Sequence, residues 1–207
     1  PILFLPGDTY ANRMPDPVLQ QVEQFNNPST TANDAFKPVT RYFDRITRPE
    51  QIIQSFPIAV QTMLDPADCG PACISLSQDI QGQTFDYPAE FFQEKVHTIR
   101  RPRPDEFQIK EAADKIKSSK NPIIISGGGV FYSDAMEELS QFAIKHNIPV
   151  TQTVMGYSTM KRDHSHFAGQ IGGLGGKNTN TLAKETDLAI AVGTKLADFT
   201  TGSWANF

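Results

Sequence analysis

The chain has 207 residues, of which 39% are hydrophobic and 20% are charged, and this balance is typical of a globular protein. Its longest apolar runs are far shorter than the roughly 20 residues of a membrane-spanning helix, and its first residues lack the basic start of a signal peptide. A net charge of -4 without clusters of Lys and Arg argues against a nucleic-acid partner.

Two cysteines, Cys69 and Cys73, are too few for a structural zinc site, which takes about four ligands. Cys73 opens an apolar segment, which predicts a buried, reduced thiol rather than a disulfide. Since reduced thiols are typical of the cytoplasm, we expect a cytoplasmic protein.

The first half of the chain alternates apolar runs with helix signals. Asp16 is suited to cap a helix that has Pro17 at its first position. Thr47 and Glu50 form a capping box, and apolar residues at helical spacing follow them. In chain order, the predicted elements are a strand over 2–5, a helix over 16–24, a loop over 26–33, a helix that ends near 64 and a strand over 73–77.

In the second half, residues 89–104 lack sustained periodicity, and we interpret them as a linker between two domains. We interpret the basic run at 97–103 as solvated, with phosphate binding as the alternative. Phe107 is predicted to face inward from a helix that begins at 105, and Ser133 is predicted to cap another. The further predicted elements are strands from 123, over 148–153 and from 188, with a helix before the last. Because strands and helices alternate, both halves are predicted to be α/β domains with parallel sheets.

Two apolar runs of the second half stop at glycine, one before Gly127, Gly128 and Gly129 and the other before Gly193. Continuous β-branched runs are typical of strands buried on both faces, and ligands of open parallel sheets bind beyond the carboxyl ends of the strands. The amides of the triple glycine, with the helix that follows, are suited to receive an anion. A tight structural turn is the alternative.

A second glycine-rich segment lies between these runs. Gly169, Gly172 and Gly175 recur at every third residue, and Lys177 follows. Ordering so many glycines costs chain entropy, which favours ligand contact over a flexible loop. Lys177 lacks the following Ser or Thr of a phosphate-binding loop, and the upstream spacing differs, so we do not predict an ATPase.

Four polar residues give less specific signals. Asp8 follows a strand and is either an active-site carboxylate or part of a turn. Asp198 follows a strand end and is either a ribose contact or a helix cap. His164 and His166 have the spacing of two metal ligands, but no Cys or Glu nearby completes a site, so we interpret them as a surface turn. We assign no catalytic residue and no metal ligand.

Four blocks in the second half resemble, in order, the central domain of thiamine-diphosphate-dependent enzymes of the acetolactate synthase type. A further block, at 70–79, resembles the end of the pyrimidine-binding domain of that family. Together these blocks extend the resemblance over nearly the whole chain. The four central-domain blocks lie at 121–129, 148–156, 169–175 and 191–195.

The resemblance implies that residues 1–88 are the later part of a pyrimidine-binding domain and that residues 105–207 are the first part of a Rossmann-like central domain. It implies thiamine diphosphate and magnesium as cofactors of a longer homo-oligomer, a dimer or tetramer, with the main motifs for both cofactors outside this chain. We therefore expect a fragment, which begins at Pro1 rather than Met, without activity of its own.

Within the family, residues 5–11, 34–44 and 101–104 are most similar to members that open a polyhydroxylated cyclic 1,2-diketone by hydrolysis in myo-inositol degradation. Phe36 and Lys37 then match positions that face the cofactor region across a dimer. Lys37 is either a contact to the ring or the phosphate, or a surface lysine.

The glycine blocks match positions that hold flavin adenine dinucleotide (FAD) in acetolactate synthases. Lys195 stands where those enzymes usually have Arg, and Ser77 where Pro is common, so the groove either holds FAD or has no occupant. An acetolactate-synthase-like transferase and a noncatalytic nucleotide-binding module are the alternative functions. The candidate cofactor-binding residues are Gly127, Gly128, Gly129, Gly172, Gly175, Gly193, Phe36 and Lys37.

Overall fold

The computed structural model describes residues 1–12, 14, 18–20 and 26–207, and the chain divides into two compact units, Pro1–Arg103 and Pro104–Phe207. Most of the helix predicted from Asp16 lies outside the described residues. Within the described part, no helix combines the length and apolar character that crossing a membrane requires.

The first unit is built on a parallel sheet. Its strands are β1 (Leu3–Phe4), β2 (Gly7–Asp8), β3 (Tyr42–Ile46) and β4 (Ala72–Ser77). β1 and β2 pair with one edge of β4 and β3 pairs with the other, all in parallel. β3 is missing from the prediction because the charged residues Asp44 and Arg45 interrupt its apolar pattern.

One helix covers a face of this sheet. A 3-10 turn at Pro49–Gln51 leads into α1 (Ile52–Leu64), whose Ala59 is fully buried in a core with strand residues. The predicted capping box is displaced by one residue, since Arg48 is the N-cap and its amide donates to Gln51 Oε1 at 2.8 Å.

The other described residues of the first unit include a 3-10 helix, Ala32–Val39, and short helical segments. A short helix, α2 (Gln78–Gln81), follows β4, and the next helical segment is one 3-10 turn, Ala89–Phe92. Tyr87 lies against the rings of Phe85 and Phe91 and donates its hydroxyl to Pro49 O at 3.2 Å. These contacts hold residues 85–92 against the unit.

The second unit is a doubly wound α/β domain. Its strands, β5 (Pro122–Ser126), β6 (Val150–Gln152), β7 (Phe167–Gln170) and β8 (Leu188–Val192), pair in parallel in the order β7-β6-β5-β8. Its helices are α3 (Glu106–Ser118), α4 (Gly128–Tyr132), α5 (Met136–His146), α6 (Lys177–Glu185) and α7 (Asp198–Thr201). The prediction of α/β architecture with parallel sheets and a Rossmann-like second half is confirmed.

Both faces of this sheet are covered, as the apolar run of β5 predicts. Ile124 packs with Leu139 of α5, whereas its neighbour Ile125 packs with Ala183 of α6. The side chains of a strand alternate between faces, so a strand covered on both sides needs apolar residues at consecutive positions.

Two local predictions in this unit are wrong. Ser133 does not cap the start of a helix, since α5 begins after Ala135. Ser133 instead ends α4, which begins at Gly128, and its amide donates to Gly129 O at 3.0 Å. Phe107 does not face inward and is 74% exposed, because the half-buried residues of α3, Ala113 and Ile116, lie farther along the helix. The start of α3 is confirmed, since Asp105 Oδ1 accepts from the Phe107 amide at 2.8 Å.

The turns after β5 and β8 contact each other through their backbones. The amides of Gly127 and Gly129 donate to Val192 O and Gly193 O at 2.9 and 2.8 Å. A Cβ on Gly129 would lie 2.6 Å from Gly193 Cα, which is closer than a Cβ atom comes to a non-bonded heavy atom in proteins. Gly193 has a φ of +60°, in the left-handed region that favours glycine. Packing alone therefore requires glycine at these strand ends.

We expect Gly129→Ala to destabilise the chain by about 1–3 kcal/mol, because the added methyl group overlaps the backbone of the neighbouring turn. Gly173→Ala is the matched control, since its Cβ would make only ordinary van der Waals contacts, with Phe199 Cδ1 at 3.8 Å and Phe199 O at 3.9 Å. The control is expected to stay within about 0.5 kcal/mol of the parent. Urea denaturation measures both, and equal losses would contradict the packing explanation.

Candidate functional site

A cavity of about 400 Å³ opens at the carboxyl ends of β5, β6 and β8. Between β5 and β8 the strand order reverses, and open α/β sheets bind ligands at such a point. The cavity wall includes Gly128, Gly129, Thr153, Thr194, Lys195 and Phe199. The fold thus creates a groove where the glycine-tipped strands predict one.

The backbone groups of this groove are partly committed to the fold. The amides of Gly127 and Gly129 donate to carbonyls at the end of β8, and Thr153 Oγ1 accepts from the Gly156 amide at 3.0 Å. Gly127 is not among the lining residues, whereas Gly128 is, and a Cβ there would lie 2.9 Å from Met155 O. An anion in the groove would therefore need donors other than these two amides. Lys195, which is exposed at the rim, is the cation among the lining residues.

The second glycine segment lines this cavity through Ile171, and its glycines are not among the lining residues. Gly172 has a φ of +90°, and its amide donates to Asn180 Oδ1 at 2.9 Å while Asn180 Nδ2 donates back to Gly172 O at 3.0 Å. A Cβ on Gly172 would lie 1.9 Å from Phe199 O, and one on Gly175 would lie 2.5 Å from Gln170 O. Close backbone packing accounts for both glycines, and ligand contact stays a prediction.

The first unit contains a buried ionic network at the carboxyl end of its sheet. The side chain of Asp8 is 0% exposed, and its Oδ2 accepts from Arg45 Nε at 2.6 Å and from the Ser75 hydroxyl. Burial opposes the ionisation of Asp8, but hydrogen bonds from Arg45, Ser75 and Thr9 outweigh burial and lower its pKa below the ordinary value. Asp8 is therefore an ionised carboxylate that holds strand ends together.

Arg45 connects Asp8 to a second carboxylate. Its Nη2 donates to Thr31 Oγ1 at 2.9 Å and to Asp34 Oδ2 at 3.0 Å. Thr31 caps the 3-10 helix Ala32–Val39, and its amide donates to Asp34 at 2.7 Å in a reciprocal capping box. The network thus fixes the start of this 3-10 helix on the sheet.

Lys37 lies at the outer end of the network. Its Nζ is 2.6 Å from Asp34 Oδ1 and 5.3 Å from the ring centroid of Phe43. Burial opposes the ionisation of Asp34, but the hydrogen bonds from Lys37, the Thr31 amide and Arg45 lower its pKa to about 2. Phe36, the neighbour of Lys37, packs on Phe4 with ring centroids 4.7 Å apart.

Thr31, Asp34 and Arg45 belong to this network but are not among the site residues predicted from the sequence. Two signals point to them. Thr31 is followed at three residues by the acidic Asp34, which is the pattern of a capping box. Arg45 is charged within a strand-length apolar segment, where a buried charge requires a partner. Neither signal identifies Asp8 as that partner, because 37 residues separate it from Arg45.

The histidines of the H-x-H segment are bound within the fold. His164 Nε2 lies 3.0 Å from Ser140 Oγ, and its Nδ1 accepts from the His166 amide at 3.1 Å. His166 Nε2 lies 3.1 Å from Asn147 Oδ1. Among the residues that the structure describes, no three His, Cys, Asp or Glu side chains are grouped to hold a metal ion. The contacts favour a surface turn.

The remaining candidates have structural partners. Asp198 is the first residue of α7, whose N-cap is Ala197, and its Oδ1 accepts from Ser203 Oγ at 2.6 Å. Asp198 therefore does not cap the helix, and the ribose contact stays a prediction. Cys69 and Cys73 are not joined by a disulfide. Cys73 is buried, and burial raises the pKa of its thiol above the ordinary value.

Comparison with known proteins defines the class of the second unit. Residues 109–207 match the family model described as "Thiamine pyrophosphate enzyme, central domain". This segment, which contains the parallel sheet and the groove, belongs to that family. The resemblance predicted from the sequence is confirmed.

Over its whole length the chain is similar to proteins named 3D-(3,5/4)-trihydroxycyclohexane-1,2-dione hydrolase. It is 50% identical over 207 residues to that of Clostridium perfringens and 49% identical over 210 residues to that of Bacillus velezensis, each covering 100% of this chain and 32% of the relative. The relative from Halalkalibacterium halodurans is 48% identical over 203 residues, which cover 98% of this chain and 32% of that protein. The chain therefore spans about a third of the length of these curated relatives.

The ionic network makes the stability of the first unit dependent on pH. We expect Asp34→Asn to lower the free energy of unfolding by about 1–2 kcal/mol at neutral pH, because the neutral amide loses the ion pairs. The pKa of Asp34 is about 2 in the fold against 3.8 ordinarily, so its contribution is present above pH 3.8 and is lost as the pH falls toward 2. The gap between parent and variant should shrink over that range in urea titrations.

Asp68→Asn is the matched control for this experiment. Asp68 is an exposed carboxylate that lies 3.4 Å from Arg41, and exposed pairs contribute little to stability. Its variant is expected to follow the parent at every pH. A deficit in Asp34→Asn that is constant from neutral pH to about pH 2 would refute the ionic explanation.

Proposed function

We propose that this chain is part of a thiamine-diphosphate-dependent enzyme that hydrolyses a carbon-carbon bond of a trihydroxycyclohexane-1,2-dione in myo-inositol degradation. Identity at about half of all positions, along the whole chain, to relatives named for this reaction carries the proposal. Because the chain spans 32% of those relatives, we assign the activity to a longer protein and expect this part alone to be inactive.

The two units have separate roles in this proposal. Residues 1–88 are the later part of a pyrimidine-binding domain, residues 89–104 are a linker, and residues 105–207 are the first part of the central domain. The division of the chain into Pro1–Arg103 and Pro104–Phe207 supports this organisation. The free thiols of the cysteines support a cytoplasmic enzyme.

Thiamine diphosphate, when bound, supplies an electron sink at the carbonyl carbon whose bond is cleaved. The described residues offer no group of carboxylates or histidines for its magnesium, so we assign neither the diphosphate nor the metal to this chain. Toward the reaction centre this chain contributes Phe36 and Lys37, which match positions that face the cofactor across a dimer. We therefore propose a homo-oligomer, a dimer or tetramer.

Lys37 is suited to bind the substrate. Its ammonium has three N–H donors, one of which is directed to Asp34, and the side chain is 54% exposed. A trihydroxylated dione presents carbonyl and hydroxyl oxygens, all of which accept hydrogen bonds. A lysine held at a fixed place on the surface of the first unit thus complements the substrate.

The full-length protein, supplied with thiamine diphosphate and Mg²⁺, is expected to convert the cyclic dione to an open chain. Cleavage between the two carbonyl carbons with one water gives a carboxylic acid and an aldehyde in one molecule, so the product equals the dione plus water. Mass spectrometry of the reaction mixture detects it. Consumption of pyruvate instead would favour the transferase, and turnover by the 207-residue chain alone would contradict its assignment as a fragment.

A nucleotide in the central-domain groove is a second candidate, favoured by the cavity at the strand-order reversal with Lys195 at its rim. If FAD or ADP binds there, Lys195→Met should weaken binding at least about tenfold, because hydrogen bonds to charged groups contribute about 1.5–3 kcal/mol. Lys110→Met, an exposed lysine of α3, is the control. Isothermal titration calorimetry of the chain with FAD and with ADP measures binding. If neither ligand produces heat, the nucleotide proposal is rejected and the glycines have only a packing role.

A further inference from the structure

We propose that Asp34, Arg45 and Asp8 are positioning residues, which hold the Lys37 ammonium in one place so that it contacts an oxygen of the substrate. The proposal rests on the proposed function, since that function supplies the substrate. The four side chains form a line of alternating charge, in which each group contacts the next.

The line leads from the buried core to the surface. Consecutive charged groups, from Asp8 through Arg45 and Asp34 to Lys37, lie 2.6, 3.0 and 2.6 Å apart. The exposed fractions of the side chains along it are 0%, 23%, 20% and 54%. Lys37 is therefore the member that solvent and ligands reach most easily.

The buried end makes the line rigid. Removing one partner of a buried ion pair leaves an uncompensated charge, so Asp8 and Arg45 are held together strongly. Asp34 Oδ2 is in turn fixed by Arg45 and by the Thr31 amide, which leaves Oδ1 for Lys37. Two carboxylates balance two cations, so the line is neutral overall. The place of the Lys37 ammonium is thus determined by groups that do not move freely.

A second lysine shows what an unanchored pair looks like. Lys115 on α3 lies 3.2 Å from Glu111, and these side chains are 65% and 55% exposed. Exposed pairs of this kind contribute little and leave the lysine mobile. Lys37 differs in two ways. The side chain of its acceptor, Asp34, is only 20% exposed, and the Lys37 ammonium also lies over the ring of Phe43. That difference indicates that the fold holds the Lys37 ammonium in place, whereas it leaves that of Lys115 free to move.

Double-variant kinetics on the full-length protein test whether Asp34 acts through Lys37. Asp34→Asn is expected to lower kcat/KM for the cyclic dione about fivefold or more in the wild-type background and less than about twofold in the Lys37→Met background. Asp34→Glu, which keeps a carboxylate, should recover part of the loss, and Glu111→Gln should have no effect. Equal losses from Asp34→Asn in both backgrounds would overturn the proposal.

Chemical labelling gives a readout that does not depend on turnover. Mass spectrometry after limited acetylation compares the modification rate of Lys37 with that of Lys195 in the folded protein. Asp34→Asn and Arg45→Lys are both expected to raise this ratio severalfold, because each releases the ammonium, whereas Glu111→Gln should leave it unchanged. An unchanged ratio in both variants would overturn the positioning role.

The two proposals fail in different ways. If the wild-type full-length protein does not open the cyclic dione, the proposed function is wrong, and the acetylation ratio still decides whether the ionic line holds Lys37. If the wild type is active but Lys37→Met matches it in kcat and KM, Lys37 does not contact the substrate and the positioning role is rejected.

Discussion

Parallel pairing brings the turns after neighbouring strands side by side at one edge of a sheet. The structure of both units depends on how the residues at that edge pack against each other. In the second unit, glycine lets the turns after β5 and β8 approach until the amides of Gly127 and Gly129 reach the carbonyls of Val192 and Gly193. In the first unit, side chains fill the same kind of edge, and the carboxylate of Asp8 is satisfied by a guanidinium from the next strand but one.

These two solutions leave different surfaces for function. The glycine solution removes side chains and produces a groove of about 400 Å³ whose wall is mostly neutral, with Lys195 as a cation at the rim. The ionic solution fixes a 3-10 helix on the sheet and presents Lys37 at the end of a balanced line of charges. The first surface is suited to shape-based binding, and the second to a directed hydrogen bond.

Local patterns in the sequence reveal much of this architecture. The alternation of apolar runs with capped helices predicts parallel α/β units, and Asp105 predicts the start of α3, as the structure confirms. The same patterns fail where tertiary contacts decide. β3 contains Arg45, whose guanidinium pairs with the buried carboxylate of Asp8. β7 (Phe167–Gln170) is short and contains Gly169, and its parallel pairing with β6 makes it a strand. Ser133 resembles a cap, yet the glycine turn has already started α4.

The sequence by itself determined the class of the chain, since periodicity, glycine at strand ends and four ordered blocks are all properties of neighbouring residues. It also singled out Asp8, Phe36 and Lys37 as separate candidates. Only the tertiary structure joined Asp8 and Lys37, through Arg45 and Asp34, into one ionic line and packed Phe36 on Phe4. Partners such as Asp8 and Arg45 lie on strands that meet only after the sheet forms, and no local pattern specifies which buried charge will neutralise which.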